Sequence, residues 1–402
     1  MKTENDNKNL NVPNLRFPEF DGEWSFGKLK DIAILSKGSG ISKDQLSDYG
    51  KPCILYGELY TKYKSEIIKE VVSKTNIDNS GLVQSKANDV IIPCSGEAAI
   101  EIATARCVQM DNILLGGDLN VIRLKGHDGG YFAYQLNGKR KIDIAKVAQG
   151  VSVVHLYGEH LKRVKVAYPS LREQQKISSF LSLLDERIDT QIKIIEKLES
   201  LIRGIVTQVC SGTFVKGEFV FLRDILTERH IKNTDNHEVY SVSVSQGIIN
   251  QIDYLGRSFA AKETLHYNVV YYGDVVYTKS PTGNFPYGIV KRSNKQRPVA
   301  VSPLYGVYQP KNDFIGRYLH LYFKSPINAK NYLYRLIQKG AKNTINITNS
   351  HFLDNKVFIP NDAELVNIVN LTSAIEDKLI LANQMLDSLK SQKGYLLSKM
   401  FI

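Results

Sequence analysis

The sequence predicts an α+β protein: two mixed α/β domains separated by two long antiparallel coiled-coil helices, pseudo-two-fold through internal duplication. Three observations predict it. The chain repeats itself at an offset of about 191 residues. Each repeat ends in an apolar stripe at helical spacing. Each stripe follows a basic block of short β-branched and aromatic runs, punctuated by Gly, Asn and Ser turns.

The duplication is read from four echoes in one order. Gln149–Pro169 aligns with Lys339–Pro360, placing His160 on His351 and Pro169 on Pro360. The offset persists downstream, with Ile177 on Ile368 and Leu184 on Ile375. Upstream, Gly22-Glu23-Trp24 and Leu29-Lys30-Asp31-Ile32 echo Gly217-Glu218-Phe219 and Leu222-Arg223-Asp224-Ile225. Asn88-Asp89-Val90-Ile91-Ile92 echoes Gly273-Asp274-Val275-Val276-Tyr277. Chance supplies one echo, not four in sequence. Two copies are too few for a solenoid. The predicted segments are 1–21, a first domain at 22–165, a helix at 166–212, a second domain at 213–356 and a helix at 357–402.

Each predicted helix follows a proline. In the first, the apolar positions are Ile177, Leu181, Leu184, Ile188, Ile192, Ile195, Leu198, Ile202, Ile205 and Val209, always three or four apart. From Leu171 to Val209 the helix would span roughly 58 Å at about 1.5 Å per residue. The second carries Ile368, Leu371, Ile375, Leu379, Ala382, Leu386, Leu389, Leu396 and Met400, with Lys393 interrupting the stripe. A helix this long in water needs a partner for its apolar face. The other helix, antiparallel, is the economical one.

The 402 residues suit several domains, and 43% apolar content excludes a disordered chain. The net charge is +11, which points to a polyanion. It is concentrated: 22–165 carries +4 and 217–356 carries +8, while 166–212 is neutral and 357–402 is −1. The second block also holds 13 of the 22 tyrosines. Cys53, Cys94, Cys107 and Cys210 form no CxxC pair, arguing against a zinc ribbon or disulfide scaffold. No apolar run reaches the ~18 residues of a spanning helix, and the polar start lacks a signal-peptide core. The expectation is a cytoplasmic protein, bound to no membrane.

Catalytic signals are weak. Gly38-Ser39-Gly40 is a lone GxG without a downstream glycine or a P-loop lysine. His155 and His160 flank Glu159 at a spacing that zinc ligands on a helix do not favour. Asp362 and Glu376 fall on one predicted helix, roughly 21 Å apart, too far to share a metal. Trp24 reads as core. No nucleophile and base stand together, so the chain is expected to be non-catalytic, with no metal or cofactor of its own.

Binding signals are better. Ser36, Lys37, Ser39 and Lys43 lie in a small-residue loop where backbone can approach a phosphate and lysine can neutralise it. Ser95, Gly96 and Glu97 follow the strand at Asp89–Pro93. Lys279, Ser280, Thr282 and Asn284 follow its counterpart at Val275–Thr278. Polar side chains so placed can reach base edges in a groove. Arg292, within the cluster Lys291, Arg292, Lys295 and Arg297, suits phosphates. Gln149, Lys342 and Asn343, near the repeat glycines, complete the expected DNA-binding set.

Two variable blocks, each followed by a repeated long helix, resemble the specificity subunit of type I restriction–modification enzymes. The resemblance is carried by Leu15-Arg16-Phe17-Pro18-Glu19-Phe20, by Gly22-Glu23-Trp24 and by Pro169-Ser170-Leu171-Arg172-Glu173-Gln174-Gln175-Lys176-Ile177. It covers about residues 12–402, specific at the helix starts and weak inside the blocks. One departure is Leu365, where the family usually has Gln. The resemblance implies two target recognition domains, each reading one half of a split double-stranded DNA sequence. The helices would act as a ruler, with half-sites about one turn, or roughly 34 Å, apart. It further implies two modification (methyltransferase) subunits docked on the helices at Ile177, Leu181, Leu184, Ile188, Ile368, Ile375 and Leu379. Two ATP-dependent restriction subunits would join them. S-adenosylmethionine, ATP and Mg2+ would serve those partners. The other readings are a stand-alone nucleic-acid enzyme, opposed by the missing motifs, and a coiled-coil or membrane-surface scaffold, opposed by helices that net 0 and −1 rather than basic.

Overall fold

The computed structural model describes residues 11–78, 80–150, 152–212, 214–257, 263–339 and 345–402. The chain forms two compact units: Met1–Lys193 with Asn383–Ile402, and Ile194–Ala382. The division falls inside both long helices, so each unit owns one block and part of each helix.

In the first unit the frame is β1 (Ser25–Lys28), β2 (Ala33–Lys37), β3 (Ile67–Ile68), β4 (Asp89–Pro93), β5 (Arg106–Val108), β6 (Leu119–Leu124) and β7 (Lys165–Tyr168). Its main sheet runs β2-β6-β4-β5-β3. Strand β4 is buried at every position, which explains its unbroken apolar run. Helix α1 (Gly129–Asn137) packs on this sheet, N-capped by Asp128, whose side chain accepts from the Tyr131 amide. Trp24, Tyr131, Phe132 and Phe401 fill the core between sheet and helices, as expected for Trp24. The Tyr131 hydroxyl donates to the Ala167 carbonyl at 2.8 Å, which lets a polar tip be buried.

Helix α2 (Leu171–Cys210) runs for 40 residues. It starts after Pro169, where the Ser170 hydroxyl accepts from the Glu173 amide at 3.4 Å. It stops before Gly212, whose φ of +69° favours glycine. A Cβ there would lie 2.9 Å from the Phe358 ring.

The second unit repeats this plan with β8 (Gly217–Phe221), β9 (Leu226–Glu228), β10 (Val275–Thr278), β11 (Ile289–Arg292), β12 (Gly306–Pro310) and β13 (Lys356–Pro360). Helix α3 (Asp313–Lys324) packs on the sheet, and α4 (Asp362–Lys399) closes the chain over 38 residues. The sheet order β9-β12-β10-β11 matches β2-β6-β4-β5. Strand β1 pairs antiparallel with β7, and β8 pairs antiparallel with β13. Leu29 and Leu222 each donate their amide at 3.1 Å, to Val164 and Asn355 respectively. The Tyr318 hydroxyl donates to the Phe358 carbonyl at 2.9 Å, as Tyr131 does to Ala167. Asn88 and Gly273 both take positive φ, 79° and 89°, to turn the chain into the central strand. Asp89 and Asp274 then each bury a carboxylate against an arginine, Arg123 at 2.6 Å and Arg229 at 2.8 Å. The duplication read from the sequence is thus a duplication of hydrogen bonds.

The helix halves pair with opposite polarity inside each unit. In the first, Ile177, Leu181 and Leu184 share a core with Leu389, Leu396 and Met400. In the second, Ile202 and Val206 meet Ile368, Ile375 and Leu379. One expected stripe residue is misplaced: Leu371 is 54% exposed, and Val369 and Thr372 are buried instead. The polar Thr372 survives there because its hydroxyl donates to the Ile368 carbonyl at 2.8 Å. Among the described residues no helix is long and apolar enough to cross a membrane.

Candidate nucleic-acid interface

In the first unit, three expected segments converge. Ser95–Gly96 pairs with Val154–His155, and His155 pairs in turn with Gln149. Glu97 and Gln149 are exposed beside them. Ser95 is buried, and its hydroxyl donates to Asp118 at 3.0 Å. It therefore holds the loop, and its hydroxyl is committed. Gly96 is needed for packing, since a Cβ would lie 2.4 Å from Ile102.

The loop at 36–43 works differently from the expectation. Ser36 and Lys37 end β2, exposed, opposite Val121 and Asn120. Gly38 does not open a phosphate cradle: a Cβ there would lie 2.0 Å from the Gly116 carbonyl oxygen. The Ser39 hydroxyl accepts from the Val83 amide at 2.7 Å. Both residues fasten the loop to the domain. Lys43 stays exposed on a short helical turn.

Residues that sequence reasoning missed complete this face. A cleft of about 280 Å³ is lined by Ser36, Lys37, Asn120, Tyr157 and Lys162. Asn120 donates to the Leu156 carbonyl at 2.9 Å, while its Oδ1 has no partner among the described residues. Tyr157 is 43% exposed and stacks on His155, with ring centroids 6.1 Å apart. Exposed aromatic faces and lysines are the elements of nucleic-acid contact. The available signal was the segment His155-Leu156-Tyr157, which the repeat alignment had absorbed as frame.

In the second unit Ser280, Thr282 and Asn284 are exposed in the turn between β10 and β11, and Lys279 is half-buried at its base. Thr282 and Phe285 exchange backbone hydrogen bonds at 3.1 and 2.9 Å, and Phe285 anchors the turn in the core. Arg292 departs from the expectation of a free phosphate contact. Its side chain is 8% exposed, ion-paired with Asp313, and it lies 4.7 Å over the Tyr272 ring. Lys342 and Asn343 lie outside the described residues.

The weak catalytic candidates find structural roles. His160 Nδ1 lies 3.0 Å from the Val147 carbonyl. Asn361 caps α4, accepting from the Glu364 amide at 3.0 Å, and Glu376 pairs with Lys324 at 2.8 Å. Among the described residues no three His, Cys, Asp or Glu side chains are grouped to hold a metal.

The residues expected to dock partners also need correction. Ile177, Leu181 and Leu184 are 2%, 0% and 6% exposed. Ile188, Ile368, Ile375 and Leu379 are half-buried, packed against the chain's own cores. A side chain already buried at roughly 1.5–3 kcal/mol of transfer free energy has little left to offer a partner. The exposed apolar residues of the helices lie elsewhere and include Phe180, Leu183 and Met385 in the first unit, and Ile194, Leu201 and Leu371 in the second. Phe180, Leu183 and Met385 border a groove of about 660 Å³.

Residues 21–200 match the family described as the type I restriction modification DNA specificity domain. The fold extends the likeness over the rest of the chain. The S subunit of a type I restriction–modification system from M. genitalium is similar with a TM-score of 0.64 at 15% identity, over 97% of this chain and 99% of that one. A chain from a structure of complex assembly and conformational transition in a type I R-M system gives 0.50 at 12% identity, over 94% and 97%. Residues 21–200 are thus similar to the type I restriction modification DNA specificity domain, and the chain as a whole shares the fold of those S subunits.

Proposed function

We propose that this chain, without chemistry of its own, reads a bipartite double-stranded DNA target, one half with each recognition domain. The observation that carries the reading is the pair of turns after Pro93 and after Thr278, which reach the surface at Glu97 and at Ser280, Thr282 and Asn284. They leave equivalent strands of one repeated frame, yet share only the serine at Ser95 and Ser280. A constant frame with a variable rim is the arrangement expected of interchangeable readers.

The helices would set the gap between half-sites and carry two modification subunits, on Phe180, Leu183 and Met385 and on Ile194, Leu201 and Leu371. Two restriction subunits would complete the assembly in the cytoplasm. S-adenosylmethionine, ATP and Mg2+ would be used by those partners. Of the expected DNA contacts, Lys37, Lys43, Glu97, Gln149, Lys279, Ser280, Thr282 and Asn284 remain candidates, with Lys342 and Asn343. Tyr157 and Lys162 join them.

Exchange of residues 217–356 for the matching domain of another such protein tests this. A methylome of cells carrying the intact system should change in one half of the recognised sequence only. A change in both halves, or in neither, overturns the modular reading.

A further inference from the structure

The second unit contains a cavity of about 440 Å³ between the β11 strand, α3 and α4. Four cations, Lys291, Arg292, Arg317 and Lys324, line it together with two carboxylates, Glu376 and Asp377. Arg292 and Arg317 share Asp313, and Lys324 pairs with Glu376. Lys291 is 5% exposed and has no hydrogen-bond or ion-pair partner among the described residues. The Nε of Arg292 is likewise buried without an acceptor. Glu376 favours the Lys291 charge without pairing with it, and a lysine so buried outside any ion pair is costly.

The duplication supplies the control. Strand β5 of the first unit corresponds to β11, and the registers place Arg106 where Lys291 stands: Ile91 faces Arg106, and Val276 faces Lys291. Arg106 is equally buried, at 8% exposure. There the chain itself supplies the acceptor, with the Tyr63 carbonyl 3.0 and 3.2 Å from the guanidinium. The second unit keeps the buried cation, and there Lys291 lines a cavity instead of meeting a backbone acceptor.

We infer that this cavity binds a phosphoryl group, which takes at Lys291 the place that the Tyr63 carbonyl takes at Arg106. The ligand's class follows from the donors. Two ammonium and two guanidinium groups line the space, with Glu376 taken up by Lys324, and Ser245, Gln246 and Asn294 add neutral groups. A tetrahedral oxyanion has enough oxygens for donors arriving from several sides, and a single carboxylate does not. Burial pushes Lys291 down to about 8, with Lys324 adding to the effect, so the ammonium prevails at neutral pH. The phosphoryl group has two sources, the DNA backbone or a small phosphorylated molecule.

The test uses the full chain, with inorganic phosphate titrated at constant ionic strength and read by calorimetry. Wild type should saturate. Lys291→Met should weaken phosphate at least tenfold, and Lys291→Arg should stay within about threefold. Thermal unfolding without phosphate shows whether Lys291→Met folds; its midpoint should equal or exceed wild type, because an unpaired buried charge is gone. A saturating short duplex separates the sources. If it displaces phosphate, the backbone is the ligand, and Lys291→Met should lower the salt slope of DNA binding by about one. If phosphate binds alongside duplex, the ligand is a small molecule. Absence of saturation in wild type, or equal saturation in Lys291→Met, overturns the site. Neither result touches the half-site reading, which the methylome decides.

Discussion

The two units solve one packing problem in opposite ways. In the first, the Lys393 ammonium on α4 lies 2.5 Å from both Glu66 and Asp185, and Tyr134 donates to Asp185 at 2.8 Å. In the second, the position that matches Asp185 is Glu376, which turns to Lys324, and the neighbouring contact is made by Ile202, Val206 and Leu321. The frame tolerates either solution because the strands and the helix start fix the backbone first. The ionic version is the more demanding. Burial works against the Lys393 charge, but Glu66 and Asp185 outweigh it and raise its pKa. Burial, with the Glu66 charge, pushes Asp185 up to about 6. Such a network adds little stability over apolar packing. It does require one particular helix segment, the one carrying Lys393, and a duplicated chain with two similar helices gains from that requirement.

Breaking each version should expose the difference. Lys393→Met leaves two carboxylates buried without their cation, and should cost the first unit about 3–5 kcal/mol at neutral pH. Ile202→Ala removes apolar volume only, and should cost the second about 2–4 kcal/mol. Denaturant titration separates them, since the Lys393→Met penalty should shrink toward pH 5 as Asp185 takes up a proton. A penalty independent of pH would contradict the ionic account.

Arginine removal is the next largest effect. Arg229→Ala should cost more than Arg123→Ala, about 2 against about 1 kcal/mol. Both leave a buried aspartate unpaired, but the Arg229 side chain is 17% exposed and the Arg123 side chain 37%. Equal losses in urea melts would show that water replaces either arginine equally well.

A pH contrast follows from His320, which the first unit lacks. Burial holds it down to about 4, with Lys291, Lys324 and Arg292 opposing its charge and Glu376 favouring it. The unfolded chain binds this proton below about 6.5 and the folded one only near 4, so stability should fall as pH drops through that window. His320→Gln should flatten the fall in the second unit, followed by the fluorescence of tyrosines concentrated there. An unchanged profile would place the lost stability at another group.

The smallest changes in stability should come from the surface. Leu183→Asp and Leu371→Asp should each move stability by no more than about 0.5 kcal/mol. Each should weaken the modification subunit's binding at least tenfold in pull-down titrations. Retained binding would remove the helices' exposed apolar residues as the docking surface.

The sequence made the frame legible because its signals are local and periodic. The stripe from Ile177 to Val209 reports one face of one helix, and Asn88-Asp89-Val90 and Gly273-Asp274-Val275 report a turn into a buried strand. Leu371 was misread because helical spacing fits more than one face, and Thr372 hides in the core by bonding its own backbone. The candidate site was less legible. Ser39, Ser95 and Gly38 carry the composition of binding loops, but their groups are committed to Val83, Asp118 and Leu119. Tyr157 and Asn120 join Lys37 only through strand pairing across long stretches of chain.

By itself, the sequence determined the duplication, the two helices and the uneven charge of the blocks. These depend on residue type and spacing along the chain. Only the tertiary structure decided which buried cations have partners, that Arg106 meets the Tyr63 carbonyl while Lys291 meets a cavity, and that Lys393 belongs to Glu66 and Asp185. Those outcomes depend on which side chains the sheets and helices bring within a few ångströms. Side-chain identity cannot encode that distance, because the partners stand dozens to hundreds of residues apart.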